Sequence, residues 1–308
     1  MQYHQRRERM RKILPSLVFL FCMMLFGSVY SYQNQEEAND QNDELGKILE
    51  KCAEYCEKLS NSVLFFVCME KVTEEHFGSI FRPIISEGRR EINKKMSKFY
   101  KDLAANPHAS VRIKYLYDYQ LIRKEGEVTE KRKLLEMDGE KQDQDNARLQ
   151  TKFHHKNIIG GPIGLLSSFW QEYHDYRIVK EGKFKGDKVY IIEATPKPDY
   201  NFNHLTGEIW VRKSDFSVMK LEWNQDGIEG YEMIKEKAKE YGLKPVITLT
   251  AEYAFEKNDI RFPSKYQIIE QYGPLIKRPR GRGRITYSKI MVEYKDYKFF
   301  TVETEVKY

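Results

Sequence analysis

From residue 110 onward apolar and polar residues mostly alternate, and a period of two marks strands with one greasy and one wet face. The clearest case is "GEIWVRKSDFSVMKLEW", residues 207–223. Ile209 and Val211 share one face of a first short strand, and Met219, Leu221 and Trp223 alternate with Lys220 and Glu222 on a second. A polar turn joins them, which predicts a hairpin. Further strands are predicted in "VRIKYLYDYQLIRKEGEVTEKRKLLEMDG", with a turn at Gly126, and in "DYRIVKEG" and "DKVYIIEATP". Three long ones close the chain, "KPVITLTAEYAFEK", "IRFPSKYQIIEQYG" and "RITYSKIMVEYKDYKFFTVETEVKY". The segment "DGEKQDQDN" has no alternation and is expected to be a polar loop without calcium-loop spacing.

Helical spacing is found in fewer places. Residues 43–59 carry Leu45, Ile48, Leu49, Cys52, Tyr55, Cys56 and Leu59 on one stripe, and residues 63–72 follow as a strand. Residues 87–105 are expected to be a basic amphipathic helix, a type found both as an ordinary surface helix and on membrane surfaces. "GPIGLLSSFWQEY" is expected to be a short helix or a lid-like loop. "IEGYEMIKEKAKEYG" is expected to be a helix ending at Gly242. Strands follow one another without crossover helices, so the sheet is expected to be largely antiparallel.

Composition adds a compartment. The apolar run "ILPSLVFLFCMMLFGSVYS" follows the basic "RRERMRK" and precedes the polar "YQNQEEANDQNDE". This is the layout of a secretory signal peptide, with Val29 and Ser31 before a cleavage site at Tyr32. An uncleaved anchor is the other reading, and both export the remainder. The expected organisation is thus residues 1–31 as signal peptide or anchor, 32–42 as a flexible leader, and 43–308 as a single domain. Five of the 52 basic and one of the 46 acidic residues lie in the first 32, leaving 47 against 45. A nucleic-acid binder keeps a larger basic excess, so that class is set aside.

Export makes cysteine pairing possible. Cys52 and Cys56, four apart on one helix, share a face, while Cys68 falls in the following strand. Cys56–Cys68 is the expected bridge, with Cys52 left over; a three-cysteine metal site lacks a nearby fourth ligand except His76.

Catalytic patterns are missing. The chain has no nucleophile elbow, zinc-protease helix, phosphate-cradling loop or dinucleotide fingerprint. His154, His155, His174 and His204, and the acids Glu172 and Asp175, show no catalytic spacing. No catalytic residue, metal site or cofactor is therefore expected. One loop stands out: "GPLIKRPRGRGR" crowds Lys277, Arg278, Arg280, Arg282 and Arg284 between two strands. It is either a contact for phosphate headgroups or an acidic partner, or a solvated tip whose charge discourages edge aggregation.

Taken together, "GEIWVRKSDFSVMKLEW", "IRFPSKYQIIEQY" and "YSKIMVEYKDYKFF" resemble the sheet of the outer-membrane lipoprotein carrier (LolA/LolB-like) superfamily. The resemblance implies an α+β fold, a curved antiparallel half-barrel wrapped over helices with an apolar cavity between. It also implies a non-enzymatic protein of the periplasm or cell envelope, with a lipid acyl chain or lipoprotein as ligand. Ile209, Val211, Met219, Leu221 and Trp223 would line either that cavity or a filled core. An envelope interaction or sensor module, using the basic loop and helix on another envelope protein or a membrane surface, is the alternative. A third possibility, a hydrolase, requires His154, His174 and His204 to meet in a pocket.

Overall fold

The structure is a computed structural model, and it describes residues 43–62, 64–77, 110–125, 127–199, 206–225, 231–240, 242–274 and 285–300. The expected export segment and leader, the basic helix at 87–105 and the loop carrying Lys277, Arg278, Arg280, Arg282 and Arg284 lie outside them. The chain divides into two compact units, residues 1–49 and 50–308, and the second holds the whole sheet.

Among the described residues, eleven strands form one antiparallel sheet that does not close. In chain order they are β1 (Leu64–Phe77), β2 (Ser110–Lys124), β3 (Glu127–Met137), β4 (Glu140–Gln144), β5 (His174–Phe184), β6 (Asp187–Pro196), β7 (Gly207–Arg212), β8 (Val218–Trp223), β9 (Leu243–Glu252), β12 (Lys265–Pro274) and β13 (Ile285–Phe299). The small β10 (Phe255–Lys257) and β11 (Ile260–Phe262) pair as a separate hairpin. The spatial order β4-β3-β2-β1-β13-β12-β9-β8-β7-β6-β5 leaves β4 and β5 as the two edges. This is the α+β open antiparallel sheet with few helices that the strand pattern and the resemblance led us to expect. Pairing slips by a residue in six of the strand pairs, and such bulges bend a sheet and raise its twist.

One row of paired residues runs across eight strands: Tyr115, Val72, Val292, Tyr266, Ala251, Leu221, Ile209 and Ile192. All eight are buried, so they mark the inner face. Helix α1 (43–61) contributes Cys52, Tyr55, Cys56 and Leu59, buried at the spacing that the sequence stripe predicts. Its Cys56 Sγ donates to the Pro162 carbonyl at 3.5 Å, and its Tyr55 hydroxyl accepts from the Arg261 backbone N–H at 3.3 Å. Phe66 meets Phe262 edge-on at 5.5 Å and Tyr297 at 5.2 Å, seating the β10–β11 hairpin on the sheet.

The connection from β4 to β5 joins the two opposite edges of the sheet. It therefore has to cross the inner face. Residues 145–173 form this strap, containing a 3₁₀ turn (Ile158–Gly160), α2 (Ile163–Leu166) and α3 (Ser168–Gln171). Helix α4 (Tyr231–Glu240) precedes β9, and Gly242 follows with φ +67° and its N–H on the Lys239 carbonyl at 2.9 Å. Among the described residues no helix is long and apolar enough to cross a membrane.

Two expectations need correction. "DGEKQDQDN" is not a loop but the turn into edge strand β4, with Asp138 at φ 53° and Gly139 at φ 86°, the mirror-type hairpin turn. Every β4 side chain is exposed, so no alternation exists to betray it. The Cys56–Cys68 bridge is not formed, and Cys52, Cys56 and Cys68 are all free and buried. Cys56 is turned to Pro162 on the strap, while Cys68 faces Tyr297 on β13. Burial pushes the Cys52 thiol up to about 12 and raises the Cys56 and Cys68 thiols as well. In alkylation of the native protein, Cys52, Cys56 and Cys68 are therefore expected to stay unmodified, and in guanidinium without reductant to react fully. A two-dalton deficit joining the Cys56 and Cys68 peptides would show the bridge instead.

Candidate functional site

The inner face carries charge as well as grease. On β1, Glu70 and Glu74 have the same parity as Phe66, Cys68 and Val72, and on β12 Glu270 has the parity of Tyr266, Ile268 and Tyr272. All three carboxylates are essentially without solvent, and a buried charge is tolerated only when paired and hydrogen-bonded. The strap supplies most of that pairing. Lys152 Nζ reaches both Glu270 oxygens at 2.6 Å, and its backbone N–H donates to Glu74 at 2.9 Å. Tyr272 and Ser288 hydroxyls also donate to Glu270, each at 2.6 Å. His155 Nε2 lies 2.8 Å from Glu70, and Arg132 of β3 grips the same carboxylate at 2.6 and 3.2 Å. Farther along, the Tyr253 hydroxyl donates to the Ile158 carbonyl and that of Tyr176 to the Leu165 carbonyl.

Burial alone would raise the Glu70 carboxyl. The hydrogen bond and charge of His155, with the charge of Arg132, outweigh it and bring the pKa down to about 2. For Arg132 burial works the other way, and Glu70 again prevails and pushes its pKa up. Arg132 also lies over the Tyr119 ring at 4.7 Å.

Between β3 and the start of the strap the two layers part into a cleft of about 770 Å³. Val128, Ala147 and Leu149 give it an apolar strip; Lys131, Arg132, Arg148, His154, His155 and Lys156 give it cationic and imidazole walls. Glu130 is its single acid. One oxygen of Glu130 accepts from the Tyr119 hydroxyl at 2.7 Å and the Asn157 N–H at 2.6 Å, and Arg132 stands 3.7 Å from the other.

The residues singled out from sequence fall elsewhere. Ile209, Val211, Leu221 and Trp223 are buried, and the strap lies directly on the last two. A Cβ on Gly161 would stand 3.0 Å from Leu221 Cδ1 and 3.1 Å from Trp223 Cζ2. Met219 leaves that set: the β7–β8 register slips there, and it packs in a separate cluster with Val189 and Ile191. His154 is exposed at the cleft, His174 is buried on β5 with Nδ1 on the Trp170 carbonyl, and His204 lies outside the described residues. Among the described residues no three His, Cys, Asp or Glu side chains come together as a metal site. Sequence reasoning missed Glu70, Glu74, Glu270 and Arg132, and set His155 aside with the other histidines. The signal was available, because acids at apolar parity in a strand ask for partners.

No family model matches the chain, and no curated protein matches it. Among solved structures it is similar to a DUF1329 family protein from Desulfovibrio piger, over 84% of this chain and 95% of that one, at 11% identity and TM-score 0.33. A putative outer membrane lipoprotein-sorting protein domain from Vibrio parahaemolyticus aligns over 84% and 93%, at 13% identity and TM-score 0.35. A LolA superfamily protein from Nitrosomonas europaea aligns over 83% and 96%, at 12% identity and TM-score 0.30. Likeness at this level carries no function from those proteins to this chain.

Proposed function

We propose that this is an exported, non-catalytic binding protein of the cell envelope that holds an amphiphile, a lipid acyl chain or the acylated end of a lipoprotein. Residues 1–31 would direct export and 43–308 would form the binding domain. The observation that carries the reading is the cleft between β3 and the strap. Its volume is in the range of small-molecule sites, and an apolar strip of Val128, Ala147 and Leu149 runs beside polar walls. Burial of each methylene there contributes roughly 0.8 kcal/mol. In this reading the strap is the movable cover. Lifting it would open the inner face to the apolar chain, with Ile209, Val211, Leu221 and Trp223 beneath; Met219, in its own cluster, would stand aside. The basic loop with Lys277, Arg278, Arg280, Arg282 and Arg284 remains a separate proposed anionic contact.

Native mass spectrometry of the full chain purified from membranes is the test. The wild-type protein is expected to retain lipid, and Val128→Asp, at a half-buried position, is expected to reduce retention about tenfold without altering circular dichroism. Absence of retained lipid from the wild type, or unchanged retention in the variant, removes this reading.

A further inference from the structure

The walls of the cleft are not symmetric in charge. Lys131 and Arg148 stand exposed at its mouth with Lys156, and none of the three has an ion-pair partner among the described residues. Arg132 deeper inside is committed to Glu70, and Glu130 is committed to Tyr119 and Asn157. The balance left for a visitor is therefore cationic. Like charges lining one hollow repel one another even through solvent, and an anion placed among them relieves that repulsion.

A second observation lies at the cleft's inner wall. His155 is 3% exposed, its Nε2 is taken by Glu70, and its Nδ1 is buried without a hydrogen-bond partner among the described residues. Since the Glu70 carboxylate accepts, Nε2 is the donor of that pair. Nδ1 then offers a lone pair in the neutral ring and an N–H in the protonated one. A buried polar atom left without a partner is unfavourable, and His155 is one of the residues that line the hollow, so a ligand group drawn in against that wall would satisfy it.

We propose that the cleft is an anion site that takes a phosphate group, gripped by Lys131, Arg148 and Lys156 and completed at its inner end by His155. Lys131 comes from β3 and Arg148 and Lys156 from the strap, so cations from both walls are available to a group with several anionic oxygens. Two sources share this chemistry: the headgroup of an anionic phospholipid and free phosphate. The headgroup is the source that rests on the lipid-binding reading, and it would give the amphiphile a fixed polarity, head at the cleft and chain under the strap.

The experiment uses the full chain with three probes: vesicles of phosphatidylglycerol, vesicles of phosphatidylcholine, and inorganic phosphate followed by calorimetry. Phosphatidylglycerol is expected to be captured at least about tenfold better than phosphatidylcholine, and inorganic phosphate to compete. The triple variant Lys131→Gln, Arg148→Gln, Lys156→Gln is expected to erase the preference, while the exposed control Lys235→Gln leaves it intact. All four positions are exposed, so folding is not the variable. Equal capture of both vesicles with no phosphate binding overturns the anion site and spares the lipid reading. Phosphate binding that depends on the three residues, with neither vesicle captured, supports the anion site, names free phosphate as its source and removes the lipid reading. An effect of Lys235→Gln equal to that of the triple variant reduces the grip to general surface charge and overturns it.

Discussion

Glu70→Ala is expected to lower the stability of the protein by about 3–5 kcal/mol, enough to leave a marginal chain largely unfolded at 37 °C. The carboxylate sits at zero exposure on β1 and is the shared partner of Arg132 from β3 and His155 from the strap. Removing it does not return those groups to water. It strands a guanidinium that is itself mostly buried and detaches one of the points by which the strap is held to the sheet. Replacing the whole set by apolar residues would be a different experiment, since a buried pair removed entirely is often close to neutral.

The same substitution carries a signature in pH. The folded pKa of Glu70 lies near 2, against an ordinary value of 4.5. A carboxyl depressed on folding contributes its stability above the ordinary value, and that contribution fades as pH falls through the window toward the folded value. The depression corresponds to about 3 kcal/mol for this fully buried group. Urea midpoints measured from pH 6 to pH 2 are thus expected to fall more steeply for the wild type than for Glu70→Ala. Parallel slopes, or a loss at pH 7 below about 1 kcal/mol, would mean that the pair contributes little.

Legibility in the sequence varied from strand to strand. Where one face is buried and the other wet, as at Ile209, Val211 and Leu221, the period of two located the strand and its inner side. The stripe Cys52, Tyr55, Cys56 and Leu59 located α1 for the same reason. β4 was illegible because it lies at an edge with both faces in water, its Asp143 answering Lys133 at 2.5 Å, with Asp145 just past the strand at 3.4 Å. Met219 was misassigned because a bulge shifts parity by one, and nothing in a local pattern announces a bulge. The pairing of β1 with β13, more than two hundred residues apart in sequence, is a property of the whole topology rather than of either strand. The strap depends on that topology as well: only when β4 and β5 are known to be opposite edges does the segment between them have to cross the face. The cleft, which exists between strap and β3, was therefore beyond the reach of the sequence, although three of its exposed cations lie in plain view there.

Gly207→Ala is the second large effect, and its cause is of another kind. Gly207 opens β7 and pairs with Ala194 on one side and Trp223 on the other. A Cβ built there would stand 2.0 Å from the Glu222 carbonyl oxygen and 2.9 Å from the Trp223 Cα. These are backbone atoms of the adjacent strand and cannot swing away as the end of a side chain does. Gly161→Ala, by contrast, meets only side-chain atoms, the nearest being the Tyr253 hydroxyl at 2.7 Å. The alanine at 207 is accommodated only if β7 and β8 separate at that end, which breaks the neighbouring Asn224 N–H to Thr206 carbonyl bond of 2.8 Å. Overpacking of this severity is expected to destabilise by about 3 kcal/mol, which for a unit of this size lowers Tm by roughly 6–12 °C. Because Trp223 is one of the three residues against which Gly161 lies, the parted strands also disturb the seat of the strap. Amide exchange at Asn224 is then expected to accelerate together with that of Leu165 and Leu166 on the strap. A variant whose melting point and Asn224 exchange both match the wild type would show that the two strands absorb a methyl group where the geometry leaves no room for one.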